Sequence, residues 1–232
     1  MLTIEKMVLP STEQWEIIIE GMRNPKNSWD RMDSDSCGNK LAKCEKYVNC
    51  HMTYCIGEAD HTLMTNLARG GSVHAKYRRM IPVYLTINAP LYWWKEFDTY
   101  KVGTVCNSCS TMHKIHSKKF ERDDFSYEHL FDFMIGDVKF LPIDILDYTI
   151  DCLNMCRERY IETKDKEYWW QMIQLLPASY NQKRTVMLNY EVLNNIYHSR
   201  KDHKLDEWVE FCNWIETLPY ARGLIYDVGN AV

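Results

Sequence analysis

Residues 176–200 read LPASYNQKRTVMLNYEVLNNIYHSR, and the part that follows Pro177 is helix-like. Proline marks helix boundaries, so the pattern predicts a helix near residues 180–200. On a helix that turns about 100° per residue, Asn189, Arg200 and either Asn194 or Asn195 lie roughly on one side. Glu191 cannot share one narrow face with all of them. The amides and the guanidinium on that side are candidates for ligand contacts.

A second polar stretch, YKVGTVCNSCSTMHK, covers residues 100–114 and follows the aromatic, helix-like run from Pro90 to Tyr100. Polar loops on a rigid scaffold are where ligand contacts concentrate. Asn107 and Ser110 can donate hydrogen bonds to a phosphate, but both are also ordinary turn residues. Either role is compatible with the sequence.

The remaining pattern predicts one α+β domain over residues 1–232, with a mixed or antiparallel sheet and a mostly helical C-terminal half. Strands are expected at Leu2–Leu9 and Lys76–Asn88, where Pro82 favours an edge strand or a bulge. Further helices are expected at residues 12–22, 60–68, 124–135, 143–160, 166–175 and 203–217.

Composition limits the class of protein. The chain has 232 residues, 46% hydrophobic and 26% charged, which is typical of a soluble globular protein. The formal net charge of -4 argues against broad nucleic-acid binding. No apolar run approaches the roughly 20 residues that cross a bilayer, so we expect no membrane association and a cytoplasmic location.

The nine cysteines are expected to be thiols. Cys106 and Cys109 form an isolated CxxC pair without the helix start that a redox motif favours. A zinc site is an alternative, although the spacings differ from the paired ones that zinc sites favour. Its ligands would come from Cys37, Cys44, Cys50, Cys55 and His51.

The two polar stretches resemble the flavin-dependent thymidylate synthases. In that family, A-R-x-x-L-P is followed after twelve residues by an asparagine and after eleven more by an arginine. Leu176-Pro177, Asn189 and Arg200 have this spacing. The family motif R-H-R-x-x-S-x-N-x-x-S-x-R agrees at Asn107 and Ser110.

The resemblance also has departures. The chain replaces family arginines at five positions: Tyr100, Val102, Met112, Ile173 and Glu191. Lys101 stands at the histidine of R-H-R and keeps a positive charge. Lys76 falls on the final histidine of the family's G-H-x-S-x-x-E-H.

The resemblance implies conversion of dUMP, or a related pyrimidine nucleotide, to its C5-methylated product. It implies FAD, a reductant such as NADPH, methylene-tetrahydrofolate, and a homotetramer with active sites between subunits. Arg200 would stabilise negative charge on the uracil. The expected substrate contacts are Ser110, Asn107, Lys101, Lys183 and Arg184, and the expected cofactor contacts are Asn189, Asn195 and Lys76.

Two alternatives remain open at this point. The lost arginines favour a non-catalytic relative that keeps the fold and the oligomer and binds a nucleotide or another partner. The cysteine-rich stretch from Cys37 to Cys55 allows an unrelated zinc-containing α+β protein. Retention of FAD separates the first alternative from an active enzyme, and metal content tests the second.

Overall fold

The computed structural model describes residues 2–37 and 54–228. The chain forms two compact units. Unit 1 comprises Met1–Glu5, Thr86–Thr99 and Asn107–Thr185, and unit 2 comprises Lys6–Leu85, Tyr100–Cys106 and Val186–Val232. Description as a single domain stays a prediction. Among the helices that the structure describes, none is long and apolar enough to cross a membrane.

The largest sheet has four strands in the order β1-β4-β8-β5. Its strands are β1 (Thr3–Val8), β4 (Pro82–Pro90), β5 (Val105–Ser108) and β8 (Asn181–Asn189). The strand predicted at Lys76–Asn88 is confirmed from Pro82 onward, whereas Lys76–Met80 form a 3₁₀ helix. Pro82 begins β4, and β4 lies between β1 and β8, so the prediction of an edge strand was wrong. A proline at the first residue of a strand removes little of the hydrogen-bond ladder.

The helix predicted near residues 180–200 is wrong in its first half. Residues 181–189 form β8, and the helix α6 is limited to Tyr190–Arg200. Val186 and Leu188 are buried on alternate positions of β8. The short period-2 pattern, with β-branched Thr185 beside Val186, therefore prevailed over the helical spacing because a neighbouring strand was available.

Unit 1 contains three helices in its described residues: α3 (Leu91–Phe97), α4 (Pro142–Thr163) and α5 (Lys166–Leu175). The last two confirm the helices predicted there. They pack with the irregular chain before them around one apolar core, whose buried members are Ile115, Phe120, Phe125, Leu146, Ile150, Leu153 and Met172.

The helix predicted at residues 124–135 was wrong. Arg122–Asp124 form a 3₁₀ helix, and an antiparallel hairpin follows, made of β6 (Phe133–Ile135) and β7 (Val138–Phe140). Gly136 has φ of 60° in the turn between them. A glycine with positive φ, followed by Asp137, is the chemistry of a tight hairpin turn, and it prevailed over the apolar pattern around it.

The helices of unit 2 include α1 (Thr12–Arg23), α2 (Glu58–Arg69), α6, α7 (Asp206–Glu216) and the short α8 (Ala221–Leu224). A short antiparallel pair, β2 (Asp35–Ser36) and β3 (Tyr54–Cys55), precedes α2. Ser11 and Gln14 form a capping box at the start of α1. The predicted apolar face of α1 is confirmed, since its side chains are buried: Trp15, Ile18, Ile19 and Met22.

The zinc hypothesis falls partly on residues that the structure does not describe. Cys44, Cys50 and His51 lie outside the described ranges. Residues 2–37 and 54–228 contain no group of side chains that could hold a metal ion. The sulfur atoms of Cys37 and Cys55 lie 2.9 Å apart. A zinc site therefore stays a prediction.

Candidate functional site

Asn189 lies at the junction between β8 and α6 in unit 2. It is buried, and its side-chain oxygen accepts a hydrogen bond from the backbone N–H of Val192 at 3.1 Å. This is the geometry of an N-cap, which satisfies a backbone donor at the start of a helix. The side-chain oxygen of the predicted cofactor residue is thus used locally, and its amide nitrogen lies beside Gly103.

The loop of residues 100–106 packs directly on this junction. Gly103 has φ of +82°, and a Cβ atom placed there would lie 3.0 Å from Nδ2 of Asn189 and 3.2 Å from Cγ2 of Val192. Only glycine meets both demands without strain. The neighbouring Thr104 hydroxyl is buried and has no hydrogen-bond partner among the described residues. Lys101, in the same loop, is exposed.

Glu191, in the first turn of α6, forms a buried ion pair with Arg78. Nη2 of Arg78 and Oε2 of Glu191 are 2.7 Å apart, and Nη1 of Arg78 donates to the carbonyl of Leu224 at 3.0 Å. Separating such a pair costs about 3–5 kcal/mol because one charge stays buried without a partner. The carboxylate that stands at a family arginine position therefore has its countercharge inside unit 2.

Arg200, at the end of α6, is held between two aromatic rings. Its Nε donates to the hydroxyl of Tyr100 at 3.0 Å. The centre of its guanidinium lies 4.9 Å from the ring centroid of Trp208 and 5.8 Å from that of Tyr100. A guanidinium on an aromatic face keeps its charge and loses much of its rotational freedom. The predicted catalytic arginine is therefore an oriented cation.

The other predicted cofactor residues of unit 2 lie at its surface. Asn195 and Lys76 are both exposed. Asn194, next to Asn195 on α6, donates instead to the carbonyl of Ile225 at 2.6 Å. Asn195 and the buried Asn189 therefore face different surroundings, although both belong to the same strand–helix segment.

In unit 1, the predicted substrate residues Lys183 and Arg184 have separate partners. They are successive residues of β8, so their side chains leave on opposite faces. Lys183 pairs with Glu5 at 2.8 Å. Arg184 pairs with Asp98 at 2.7 Å, and its guanidinium lies 4.3 Å from the ring centroid of Trp94. The structure does not bring these two cations together.

Asn107 and Ser110 also belong to unit 1. Asn107 is an exposed residue of β5. The hydroxyl oxygen of Ser110 accepts hydrogen bonds from the backbone N–H groups of Met112 and Lys114 at 3.4 and 3.3 Å. This is a side-chain turn, and it leaves the hydroxyl proton of Ser110 available to another acceptor.

Comparison with known proteins identifies the fold. No protein-family model and no curated protein matches the sequence. A structure of thymidylate synthase X (ThyX) from Helicobacter pylori with FAD and dUMP gives a TM-score of 0.61 at 15% identity over 99% of each chain. A second H. pylori ThyX structure, complexed with FAD and dUMP, gives 0.59 at 14% identity over 98% of each chain.

The fold is that of the flavin-dependent thymidylate synthases. The α+β fold class predicted from the sequence is confirmed, and so is the resemblance to this family's fold. At this level of identity the likeness concerns the fold alone, because one fold can serve many chemistries.

The hydrogen-bond donors and cations of unit 2 can be compared with the polar groups of a flavin cofactor. A flavin presents ring carbonyls and nitrogens that accept hydrogen bonds, and FAD adds a negatively charged diphosphate. The Thr104 hydroxyl and Nε of Arg78 are buried without hydrogen-bond partners in the described chain. Lys76, Lys101 and Asn195 are exposed. This set of donors and cations fits the chemistry of FAD.

Sequence reasoning missed the partners that orient these side chains. Tyr100 and Trp208 hold Arg200, but Tyr100 lies 100 positions away and nothing in the spacing connects the two. Nothing in the spacing pointed to Arg78 either. The signal for it is Glu191, a carboxylate at a family arginine position, because a buried carboxylate requires a countercharge.

Proposed function

We propose that this protein is a flavin-dependent thymidylate synthase that methylates C5 of dUMP or a related pyrimidine nucleotide. FAD would be its cofactor, and methylene-tetrahydrofolate and NADPH its co-substrates. The observation that carries the proposal is Arg200, held by Tyr100 and Trp208 in a chain that has the ThyX fold over its whole length. Both solved ThyX structures above contain FAD and dUMP, which supports the choice of ligands.

Bound FAD would supply the hydride for the reaction, so the protein needs no cysteine nucleophile. Its residues bind and orient the reactants. Lys76 and Asn195, which are exposed, would meet the cofactor's polar groups, and the amide of Asn189 would contact its ring. Asn107, Ser110 and Lys101 are exposed donors for the substrate.

Arg200 would act on the pyrimidine. When a nucleophile adds to C6 of the uracil, the electron pair of the C5–C6 double bond moves onto C5 and the C4 carbonyl oxygen, and a fixed guanidinium stabilises that negative charge. The hydrogen bond to Tyr100 and the contact with Trp208 hold the guanidinium before the substrate arrives. Little reorganisation is then needed at the moment of reaction.

Lys183 and Arg184, the cations of β8, are less suited to bind the substrate. Arg184 is shielded and already paired with Asp98, whereas the exposed pair of Lys183 and Glu5 is worth only about 0–1 kcal/mol and opens readily. We therefore assign Lys183 the more available charge. Either residue reaches a nucleotide only by exchanging its present carboxylate for the ligand.

A first experiment separates cofactor binding from turnover. The purified protein is incubated with excess FAD, desalted, and examined by visible absorption, and release of tritium from [5-³H]dUMP is then measured with the co-substrates. We expect a retained flavin spectrum and tritium release. Arg200→Lys should retain flavin and lose about 10²–10³-fold in rate, since lysine lacks the planar fork.

Arg159→Lys is the matched control, because Arg159 is an exposed residue of α4 paired with Glu162. Its rate should equal that of the unchanged protein. Equal rates for Arg200→Lys and Arg159→Lys would remove Arg200 from the mechanism.

One observation favours a second function. Glu191 is buried against Arg78 at a position where the resemblance implies an arginine that contacts flavin. A chain that has built an internal ion pair there is suited to a non-catalytic nucleotide-binding or structural role. This function predicts a colourless protein after desalting and no release of the C5 proton, which is the opposite result in both measurements.

We also propose that the protein assembles as a homotetramer, as the resemblance implies. The support in this chain is the hairpin of β6 and β7 in unit 1. Its apolar side chains are exposed, and Phe133 stacks on Phe140 with ring centroids 5.3 Å apart. Exposed apolar clusters of this kind mark interaction surfaces, and most soluble oligomers are assembled from identical chains.

A further inference from the structure

A small cavity in unit 1 has a strong excess of positive charge. Its volume is about 180 Å³. Lys114, Lys118 and Lys119 line it, with Asp124 as the carboxylate among its lining residues. The charges of these four side chains sum to +2 in a chain whose net charge is -4. Such a local reversal of sign attracts an anion.

The segment that carries these lysines, Cys109–Phe120, is irregular but anchored. Side chains of neighbouring elements bind its backbone at four places. These contacts are Gln182 to the carbonyl of Cys109 (2.8 Å), Trp169 to that of Met112 (3.0 Å), Arg157 to that of His116 (2.9 Å), and Asn154 to both N–H and C=O of Phe120 (2.9 Å each). Anchoring lowers the entropy lost when a ligand is bound.

Two of the three lysines are available. Lys118 pairs with Asp124 at 2.8 Å. Lys114 and Lys119 are exposed and have no carboxylate within ion-pair distance in the described parts of the chain. An ammonium group with no internal partner can donate to a ligand without first breaking a contact.

The neutral groups of the cavity are suited to hydrogen bonding with an anion. Ser110 uses its lone pairs to accept from Met112 and Lys114, so its hydroxyl proton is free to be donated. Burial, with smaller contributions from Asp124 and Cys109, raises the pKa of Tyr180 to about 12. Its hydroxyl therefore stays protonated at neutral pH and remains a donor.

The positive charge of this region also acts on His116, which lies in the same segment as the lysines. The pKa of His116 is lowered, first by burial and then by the positive charges of Lys114, Lys164 and Arg157. Arg157 also donates to the carbonyl of His116 at 2.9 Å. The surroundings of the Cys109–Phe120 segment thus disfavour an added positive charge and favour an added negative one.

We infer that this cavity binds the phosphate group of a phosphate monoester, through Lys114, Lys119 and the hydroxyl of Ser110. Typical ligand pockets have about 300–1,000 Å³, so this cavity takes a phosphate and leaves the rest of the ligand outside. Two net positive charges match a phosphate dianion better than a carboxylate. That the ester is a pyrimidine nucleotide rests on the proposed function.

The experiment is calorimetric titration of the full chain with dUMP, deoxyuridine and inorganic phosphate. It compares the unchanged protein with Lys114→Ala/Lys119→Ala and with Lys6→Ala/Lys95→Ala. Lys6 and Lys95 are exposed residues outside the cavity. Circular dichroism establishes that each variant is folded. A third variant, Lys114→Arg/Lys119→Arg, keeps both charges.

We expect dUMP and phosphate to bind the unchanged protein and the Lys6→Ala/Lys95→Ala control equally well. In Lys114→Ala/Lys119→Ala, both affinities should fall about 10–100-fold, and the arginine variant should recover most of this loss. Any weak binding of deoxyuridine should not change. Equal affinities in the alanine variant and the control would overturn the inference, and so would a protein that binds neither phosphate nor dUMP.

The outcome of this titration can be distinguished from the outcome of the flavin and tritium-release experiment. Phosphate affinity that depends on Lys114 and Lys119, in a protein that retains no flavin and releases no tritium, supports the phosphate site and contradicts the synthase. Flavin retention and turnover, with the same dUMP affinity in Lys114→Ala/Lys119→Ala as in the control, support the synthase and contradict the site.

Discussion

At the scale of the residue, Gly103 is the position where the candidate site tolerates the least change. Gly103→Ala must place a Cβ at φ of +82° and within 3.0 Å of Nδ2 of Asn189. The backbone cost is about 1–2 kcal/mol, and displacement of the Asn189 cap adds about 1 kcal/mol more. We expect Gly103→Ala to lower the free energy of unfolding by about 2–3 kcal/mol, measured by urea denaturation.

Gly71→Ala separates the backbone cost from the cost of displacing the Asn189 cap. Gly71 has φ of +85°, but a Cβ there would have no atom within 4 Å. It should therefore lose only the backbone contribution of about 1–2 kcal/mol. If the two variants lose the same stability, the packing of the loop on Asn189 does not matter energetically.

At the scale of the element, the β6–β7 hairpin is a strand pair whose apolar side chains are exposed. Phe131, just before it, is 70% exposed, and Ile135, beside its turn, is 62% exposed. An isolated two-stranded hairpin is marginally stable in water, so burial of this surface in an oligomer would stabilise it. We expect Phe131→Glu/Ile135→Glu to shift the oligomer to smaller species in light scattering.

The control for the hairpin is Ile17→Glu/Val73→Glu. These two residues are 63% and 70% exposed and lie elsewhere on the chain. The control should leave the molar mass unchanged. An unchanged protein that is already monomeric, or a hairpin variant with the mass of the control, contradicts assembly through the hairpin.

At the scale of the whole molecule, stability in acid depends on Asp60, which is fully buried in α2. Burial alone would raise its pKa, but hydrogen bonds from Ser34 and Arg23 and from the backbone of Asp33 and Ser34 lower it overall. A carboxyl group whose pKa is lower in the folded state stabilises the protein above its unfolded pKa of about 3.9. That stabilisation is lost as the pH falls below about 4.

Asp60→Asn should therefore cost about 3–5 kcal/mol at pH 7, because Arg23 keeps a buried charge, and less at lower pH. Urea denaturation at pH 7 and pH 3 measures the difference. Asp147→Asn, at an exposed ion pair with Arg122, should cost less than about 1 kcal/mol at either pH. An equal loss at pH 7 and pH 3 for Asp60→Asn would show that the carboxylate charge is not what matters.

Much of the local structure could be predicted because it depends on neighbours in the sequence. Ser11 and Gln14 start α1, its apolar residues recur at helical spacing, and Val83 to Ala89 alternate in β4. The errors fell where a short apolar stretch suits either structure. Residues 181–189 became a strand because β4 and β5, supplied by distant parts of the chain, lay on either side of it. Residues 133–140 became a hairpin because the turn at Gly136 pairs two short strands that are neighbours in the sequence.

The candidate site, too, has some features that the sequence predicts and others that only the fold decides. Residue types and spacing along the chain, Leu176-Pro177 with Asn189 and Arg200, and Asn107 with Ser110, were enough to indicate the fold that the comparison confirmed. The sequence by itself determined which charges and amides are present. Only the tertiary structure decided their partners: Tyr100 and Trp208 for Arg200, Arg78 for Glu191, Asp98 for Arg184. Electrostatic and packing contacts depend on distance in space, and residues far apart in sequence come within that distance only when the chain is folded.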